Sequence, residues 1–319
     1  MVQVKASTRL VALLGHPVGH SLSPLMHNAA FNATGLDLVY LAFDVDPGDL
    51  PAALAGLRSL GFRGANVTVP HKETIIPCLD VVDPVAARIG AVNTIVNDDR
   101  CLKGYNTDGS GFLRSLKEAG FDPEGKRAVI LGAGGAARAV AFALATGGCR
   151  RLVLANRTPE RARELAAALA VSGYSGAVTF PLPGTGRPGP GDPGAAGAGN
   201  PATGLQDEVA AAHLVVNTTS LGMWPRVETI PLAPGWLQAG QWAYDLVYNP
   251  LETRFLREAR RRGCRVVSGL AMLLYQGAEA FTLWTGRQAP IAVMDRVLRE
   301  ALGASSGGPA AGRLNSEKG

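Results

Sequence analysis

The run Ala128-Val-Ile-Leu-Gly132-Ala-Gly134-Gly-Ala-Ala137 restricts what this chain can fold into more than any other stretch. It reads as a strand that enters a glycine turn and leaves as a helix, with the spacing G-x-G-x-x-A. Gly132 permits the tight turn. Gly134 lets backbone approach an anion with no Cβ in the way, and Ala137 lets the helix lie close on the strand. The amides of Ala133, Gly134, Gly135 and Ala136 are then free at a helix start, where they can hold a pyrophosphate. A second strand, Arg151–Ala155, follows in the right order, which favours a dinucleotide turn over an ordinary loop.

The end of that second strand narrows the cofactor. A carboxylate there binds a ribose 2′-hydroxyl. This chain has Asn156-Arg157-Thr158 instead, with Arg161 one turn further on. Guanidinium donors match phosphate oxygens, and a carboxylate would repel them, so the pattern predicts NADP over NAD. Thr158 before Pro159 also reads as a helix cap, which is compatible with the same role.

Around this turn the chain alternates strands and helices twice. In the first third, strands are predicted at 10–15, 39–45 and 64–69, with helices at 24–33, 49–60 and 84–90. A hairpin is predicted from 91–96 and 101–106. A helix at 109–119 leads into the second run. Its strands are predicted at 127–131, 151–155, 213–216, 242–246 and 265–267, and its helices at 135–146, 159–170 and 252–262. The final segment, from Leu270 to about Leu302, reads as two helices parted near Pro290. The fold class expected is α/β, with two doubly wound domains. Residues 181–204, rich in Gly, Pro and Ala, read as a mobile insertion, and 304–319 as a flexible tail.

Composition sets outer bounds. The 319 residues suffice for two domains, and no apolar run approaches the roughly 20 residues that span a bilayer. No signal peptide is read, so the cytoplasm is the expected location. Four scattered cysteines without a CxxC pair argue against a disulfide framework and against a metal site. The net charge of +5 is spread out, and its densest cluster, Arg257 to Arg265, reads as a solvated helix face. A small anionic substrate is expected, with no nucleic acid and no membrane as partner, in a monomer or homodimer.

Four further segments are unusually polar for their positions: Gly15-His-Pro-Val-Gly-His-Ser21-Leu-Ser23-Pro24, Asn66-Val-Thr68-Val-Pro-His-Lys72, Gly90-Ala-Val-Asn93-Thr, and Tyr105-Asn106-Thr107-Asp108-Gly109. Later come Asn217-Thr-Thr-Ser-Leu-Gly-Met223, Asp245-Leu-Val-Tyr248-Asn-Pro250 and Ser268-Gly-Leu-Ala-Met-Leu-Leu-Tyr-Gln276-Gly-Ala278. With these motifs the chain resembles the shikimate dehydrogenases over about residues 8–302. An inserted 181–204 longer than is usual in that family, and Leu246 where some relatives carry Met, are the departures.

The resemblance implies reversible reduction of 3-dehydroshikimate by NADPH. It implies Lys72 and Asp108 as the catalytic residues, acting as one coupled pair across the reacting hydroxyl. Hydride reaching a ketone carbon leaves charge on its oxygen, and a positioned ammonium can meet that charge with a proton. Ser21, Ser23 and Tyr248 would bind the substrate carboxylate, while Thr68, Lys72, Asn93, Asp108 and Gln276 would read the ring hydroxyls. Leu246 and Gly269 would line the nicotinamide. The domains implied are a discontinuous substrate-binding domain, 1–108 plus 270–303, and a Rossmann-type NADP domain, 109–269, with a cleft between them. Two alternatives stay open: an enzyme for quinate using NAD, and a non-catalytic dinucleotide sensor.

Overall fold

A computed structural model of the chain describes residues 4–182 and 201–303. The elements of the first part are β1 (Arg9–Gly15), α1 (Ser23–Ala33), β2 (Leu38–Asp44), α2 (Leu50–Ser59), β3 (Gly64–Val67), α3 (His71–Thr74), β4 (Val81–Val82), α4 (Pro84–Ile89), β5 (Thr94–Asp98) and β6 (Cys101–Tyr105). Helix α5 (Asp108–Ala119) leads to β7 (Arg127–Leu131), α6 (Gly135–Thr146), β8 (Arg151–Asn156), α7 (Pro159–Val171), β9 (Ala177–Pro181), α8 (Pro201–Ala210), β10 (Leu214–Asn217), β11 (Trp242–Asp245), α9 (Arg254–Arg261) and β12 (Arg265–Ser268). Two helices, α10 (Leu270–Thr285) and α11 (Ile291–Ala301), close the described chain.

The second sheet is wholly parallel, in the order β9-β8-β7-β10-β11-β12, which is the doubly wound dinucleotide topology. Its strands are buried on both faces. Ile130 packs under α5, α6 and α7 with Phe112, Val140 and Leu165, whereas Val129 and Leu131 face α8 and α9 with Val209 and Phe255. This accounts for near-continuous apolar strands in place of an alternating pattern.

The first sheet has the order β2-β1-β3-β5-β6-β4. It is parallel from β2 to β3, but β5 runs against both of its neighbours, as the predicted hairpin requires. Helices α10 and α11 return to this sheet: Leu274, Phe281, Trp284, Met294 and Leu298 join Val11, Leu13, Met26 and Phe31 in one core. The Trp284 indole donates to the Ile95 carbonyl at 2.9 Å, which pins α10 to β5.

Several expectations need correction. The segment 181–204 does not begin and end where composition suggests. Pro181 closes β9, which extends the second sheet, and α8 starts at Pro201. Residues 183–200 and the expected tail 304–319 lie outside the described residues. Helix α1 begins at Ser23 itself, with Leu22 as its N-cap, and Thr158 holds the N-cap position of α7 without a capping bond from its side chain. Helix α9 buries Phe255, Leu256 and Ala259, and its arginines pair with Glu228, Glu252 and Glu258, which is a solvated face. No described helix is long and apolar enough to cross a membrane.

His27, on α1, is fully buried between aromatic rings. It stacks on Tyr40 at 4.6 Å and meets the edge of Trp284 at 5.1 Å, and neither ring nitrogen has a hydrogen-bond partner. Burial pulls its pKa from 6.5 down to about 3. The folded state therefore keeps it neutral while the unfolded chain takes up a proton. Stability is complete above about pH 6.5 and falls toward about pH 3, by up to roughly 1.4 kcal/mol per pH unit. We expect His27→Phe to shift the acid-unfolding midpoint to lower pH, measured by circular dichroism. An unchanged midpoint would show that the imidazole is already charged in the fold.

Candidate active site

A cavity of about 310 Å³ is lined by residues of both sheets and of α10. From the first sheet and its loops come Ser21, Ser23, Asn66, Thr68, Lys72, Asn93 and Asp108. From the second come Ala136, Thr218, Leu246, Tyr248 and Gly269, and α10 adds Gln276. All the residues that the resemblance assigns to substrate thus share one cavity with three of those assigned to cofactor.

Its centre is an ammonium–carboxylate pair. Lys72 Nζ donates to Asp108 Oδ2 at 2.5 Å, with the two side chains only 13% and 6% exposed. Each partner is held by its own element. Lys72 sits on the short helix α3, which is tied down where the His71 ring meets the Val45 carbonyl at 2.7 Å and where the Val92 amide donates to the Lys72 carbonyl at 2.8 Å. Asp108 starts α5. Its backbone amide donates to Asn106 Oδ1 at 3.1 Å, and its second oxygen accepts from Asn93 Nδ2 at 2.9 Å. The Asn93 amide also faces Thr107 Oγ1 at 2.9 Å and Gln276 Oε1 at 3.4 Å, so Asn93, Asp108 and Gln276 form one buried polar patch.

At the other end, hydroxyls gather. The Ser23 amide donates to Ser21 Oγ at 3.2 Å. Burial pushes the Tyr248 phenol up, against hydrogen bonding to the Leu22 backbone and the Ser21 side chain. A cluster of neutral donors can receive a carboxylate without a buried counter-charge. His16 stands at the rim, where its bond to Asp44 at 2.6 Å raises its pKa.

The glycine turn fits a dinucleotide. Gly132 has φ +119°, and a Cβ there would meet Thr218 Oγ1 at 2.4 Å. A Cβ on Gly134 would meet nothing within 4 Å, which leaves open space at the head of the twelve-residue helix α6. The turn adjoins the end of β8, where the Gly132 amide donates to the Ala155 carbonyl at 2.8 Å. Asn156, Arg157, Thr158 and Arg161 follow there, outside the cavity lining, with both arginines exposed. Leu246 and Gly269 touch: a Cβ on Gly269 would lie 2.1 Å from the Leu246 carbonyl oxygen.

Three supporting residues take their roles only from the fold. Asn66 links Tyr40, through its hydroxyl at 2.8 Å, to the Asn93 carbonyl at 3.1 Å. Asp245, fully buried, accepts from Asn217 at 2.9 Å, the Val247 amide at 3.0 Å and Thr253 at 2.6 Å, and so braces the segment carrying Leu246 and Tyr248. Burial pushes its carboxyl up to about 7, although these three donors favour the ionised form. Asn66 and Asp245 lie inside the polar motifs, but their partners are too distant in sequence to be seen there. Glu73, next to Lys72, meets Arg161 at 3.3 Å.

A parallel sheet of this order with a glycine turn, joined to a mixed sheet that carries an ammonium–carboxylate pair, defines a class of two-sheet dinucleotide-fold proteins. Family models agree on more. Residues 13–95 match the shikimate dehydrogenase substrate binding domain, 115–177 the shikimate/quinate 5-dehydrogenase model, and 269–299 the shikimate 5′-dehydrogenase C-terminal domain. The chain belongs to the shikimate dehydrogenase family. It is 77% identical, over 98% of its length and 100% of the relative's, to a shikimate dehydrogenase (NADP(+)) of Moorella thermoacetica. Among solved structures it resembles a shikimate dehydrogenase in complex with NADP+ (TM-score 0.82, 39% identity, 94% of this chain and 98% of that one). It also resembles the Thermus thermophilus enzyme in complex with NADP(H) and shikimate (TM-score 0.77, 40% identity, 92% and 100%).

One contact couples the two halves of the site. A Cβ on Gly135, the first residue of α6, would stand 2.9 Å from Lys72 Cβ, the root of that side chain and not its mobile end. We expect Gly135→Ala to lower kcat roughly tenfold or more, because the lysine must move, and to lower the melting temperature, because overpacking at the root of Lys72 outweighs the better helix propensity of alanine. Unchanged kcat would mean that the packing of α6 on Lys72 plays no part in turnover.

Proposed function

We propose that this protein catalyses the reversible NADPH-dependent reduction of 3-dehydroshikimate to shikimate. The observation that carries the proposal is the Lys72–Asp108 contact of 2.5 Å inside a cavity also lined by Ala136, Leu246 and Gly269. When bound, NADP supplies or accepts the hydride.

The chain's own groups would do the rest. The turn opened by Gly132 would let the amides from Ala133 to Ala136 hold the pyrophosphate, Asn156, Arg157, Thr158 and Arg161 the 2′-phosphate end, and Leu246 and Gly269 the nicotinamide face. Ser21, Ser23 and Tyr248 would hold the substrate carboxylate. Thr68, Asn93, Asp108 and Gln276 would fix the ring through its hydroxyls. The Lys72 ammonium would give its proton to the carbonyl oxygen during reduction and recover one from the hydroxyl in the reverse direction. Asp108 would orient the ammonium through Oδ2 while Asn93 holds Oδ1. In this reading residues 1–108 plus 270–303 form the substrate unit and 109–269 the NADP unit.

A site of buried polar groups discriminates sharply, because an analogue lacking a hydroxyl leaves one of them unpaired. The test is a spectrophotometric assay of NADP+ reduction by shikimate, with quinate and NAD+ in parallel. We expect shikimate with NADP+ to give the highest kcat/KM. Faster turnover of quinate with NAD+, or NADP+ binding without turnover, would overturn the proposal. In the same assay Lys72→Ala should lower kcat by on the order of 10²-fold or more with a modest change in KM. Near-normal kcat would remove Lys72 from the chemistry.

A further inference from the structure

Helix α3 faces two ways. Lys72 points to Asp108 in the cavity, and the next residue, Glu73, points to Arg161 in the first turn of α7. The Glu73–Arg161 contact joins the first-sheet unit to the second, with an N–O distance of 3.3 Å and side chains 36% and 52% exposed. The acidic residue beside Arg161 on α7, Glu160, is engaged elsewhere, with Arg163 at 3.1 Å. Among the described residues Glu73 is the only carboxylate in an ion pair with Arg161.

A 2′-phosphate presents up to two negative charges and three acceptor oxygens to a guanidinium that already holds a carboxylate. The two anions cannot share it without repulsion, and a phosphate of higher charge is the stronger partner. A 2′-hydroxyl carries no charge and leaves the carboxylate in place. We propose that Glu73 tempers the preference for NADP over NAD: it holds Arg161 in the cofactor-free protein and yields it to the 2′-phosphate of NADP, but not to NAD. This rests on the reading of Arg161 as a 2′-phosphate ligand. The exchange lowers the affinity for NADP by the strength of the pair it breaks.

The size of the effect follows from the exposure of the pair. Solvent-exposed ion pairs are weak, so removing the competitor should tighten NADP+ binding only about two- to fivefold. The experiment is calorimetric titration of NADP+ and NAD+ into the wild type, Glu73→Gln, Arg161→Ala and the double variant. We expect Glu73→Gln to tighten NADP+ about two- to fivefold and to leave NAD+ unchanged, with the gain vanishing once Arg161 is alanine.

Three results would overturn this. If Arg161→Ala weakens NADP+ but Glu73→Gln does not tighten it, Arg161 binds phosphate and Glu73 does not compete. If the gain persists in the double variant, or appears equally with NAD+, Glu73 acts by general repulsion and not by holding the arginine. If Arg161→Ala leaves NADP+ binding intact, the reading of Arg161 fails, and the exchange fails with it.

Discussion

The contact between Lys72 and Asp108 is the constraint around which the molecule is arranged. An ammonium and a carboxylate taken out of water are costly unless each keeps its partners. Here the lysine is held at its backbone by β5's leading segment, and the aspartate by Asn93 and by the turn that opens α5. The pair is therefore a fixed reference point for anything that enters the cavity. The polar patch of Asn93, Thr107 and Gln276 extends it on one side, and the hydroxyls of Ser21, Ser23 and Tyr248 lie at the far end.

Close approach does the rest of the positioning. Gly135 brings the head of α6 against the root of the Lys72 side chain, and Gly269 brings the start of α10 against the Leu246 carbonyl. Gly269 lines the cavity and Gly135 precedes Ala136, which does, and a side chain at either glycine would push apart groups that must act together. The Asp245 brace works in the same direction from behind, because its three donors fix the end of β11 from which Leu246 and Tyr248 project.

Much of this could be read from the sequence, for particular reasons. The strand from Arg127, its glycine turn and α6 carry a local signature, since backbone conformation and close packing are decided by Gly132, Gly134 and Ala137 themselves. The polar motifs could be tied together only by resemblance, because Lys72 and Asp108 are brought into contact by the order of the first sheet and not by spacing. Strand β4 is two residues long and exists through pairing with β6, so no periodicity marks it. Strand β9 is only half-buried along its length, and it runs into the Gly/Pro-rich stretch that hides its end. The isolation of His27 and the meeting of Glu73 with Arg161 depend on neighbours far away in sequence, and nothing local announces them.

A substrate whose reacting oxygen lies at the Lys72 ammonium, beside Asp108, makes the fold, the cavity and the proposed chemistry one account. A crystal structure of the protein with NADP+ and shikimate tests this most directly. The account predicts the reacting hydroxyl oxygen within about 3.2 Å of both Lys72 Nζ and an Asp108 oxygen, with the acid's carboxylate at Ser21, Ser23 and Tyr248. A shikimate bound the other way round, its carboxylate against the Lys72 ammonium, would contradict it.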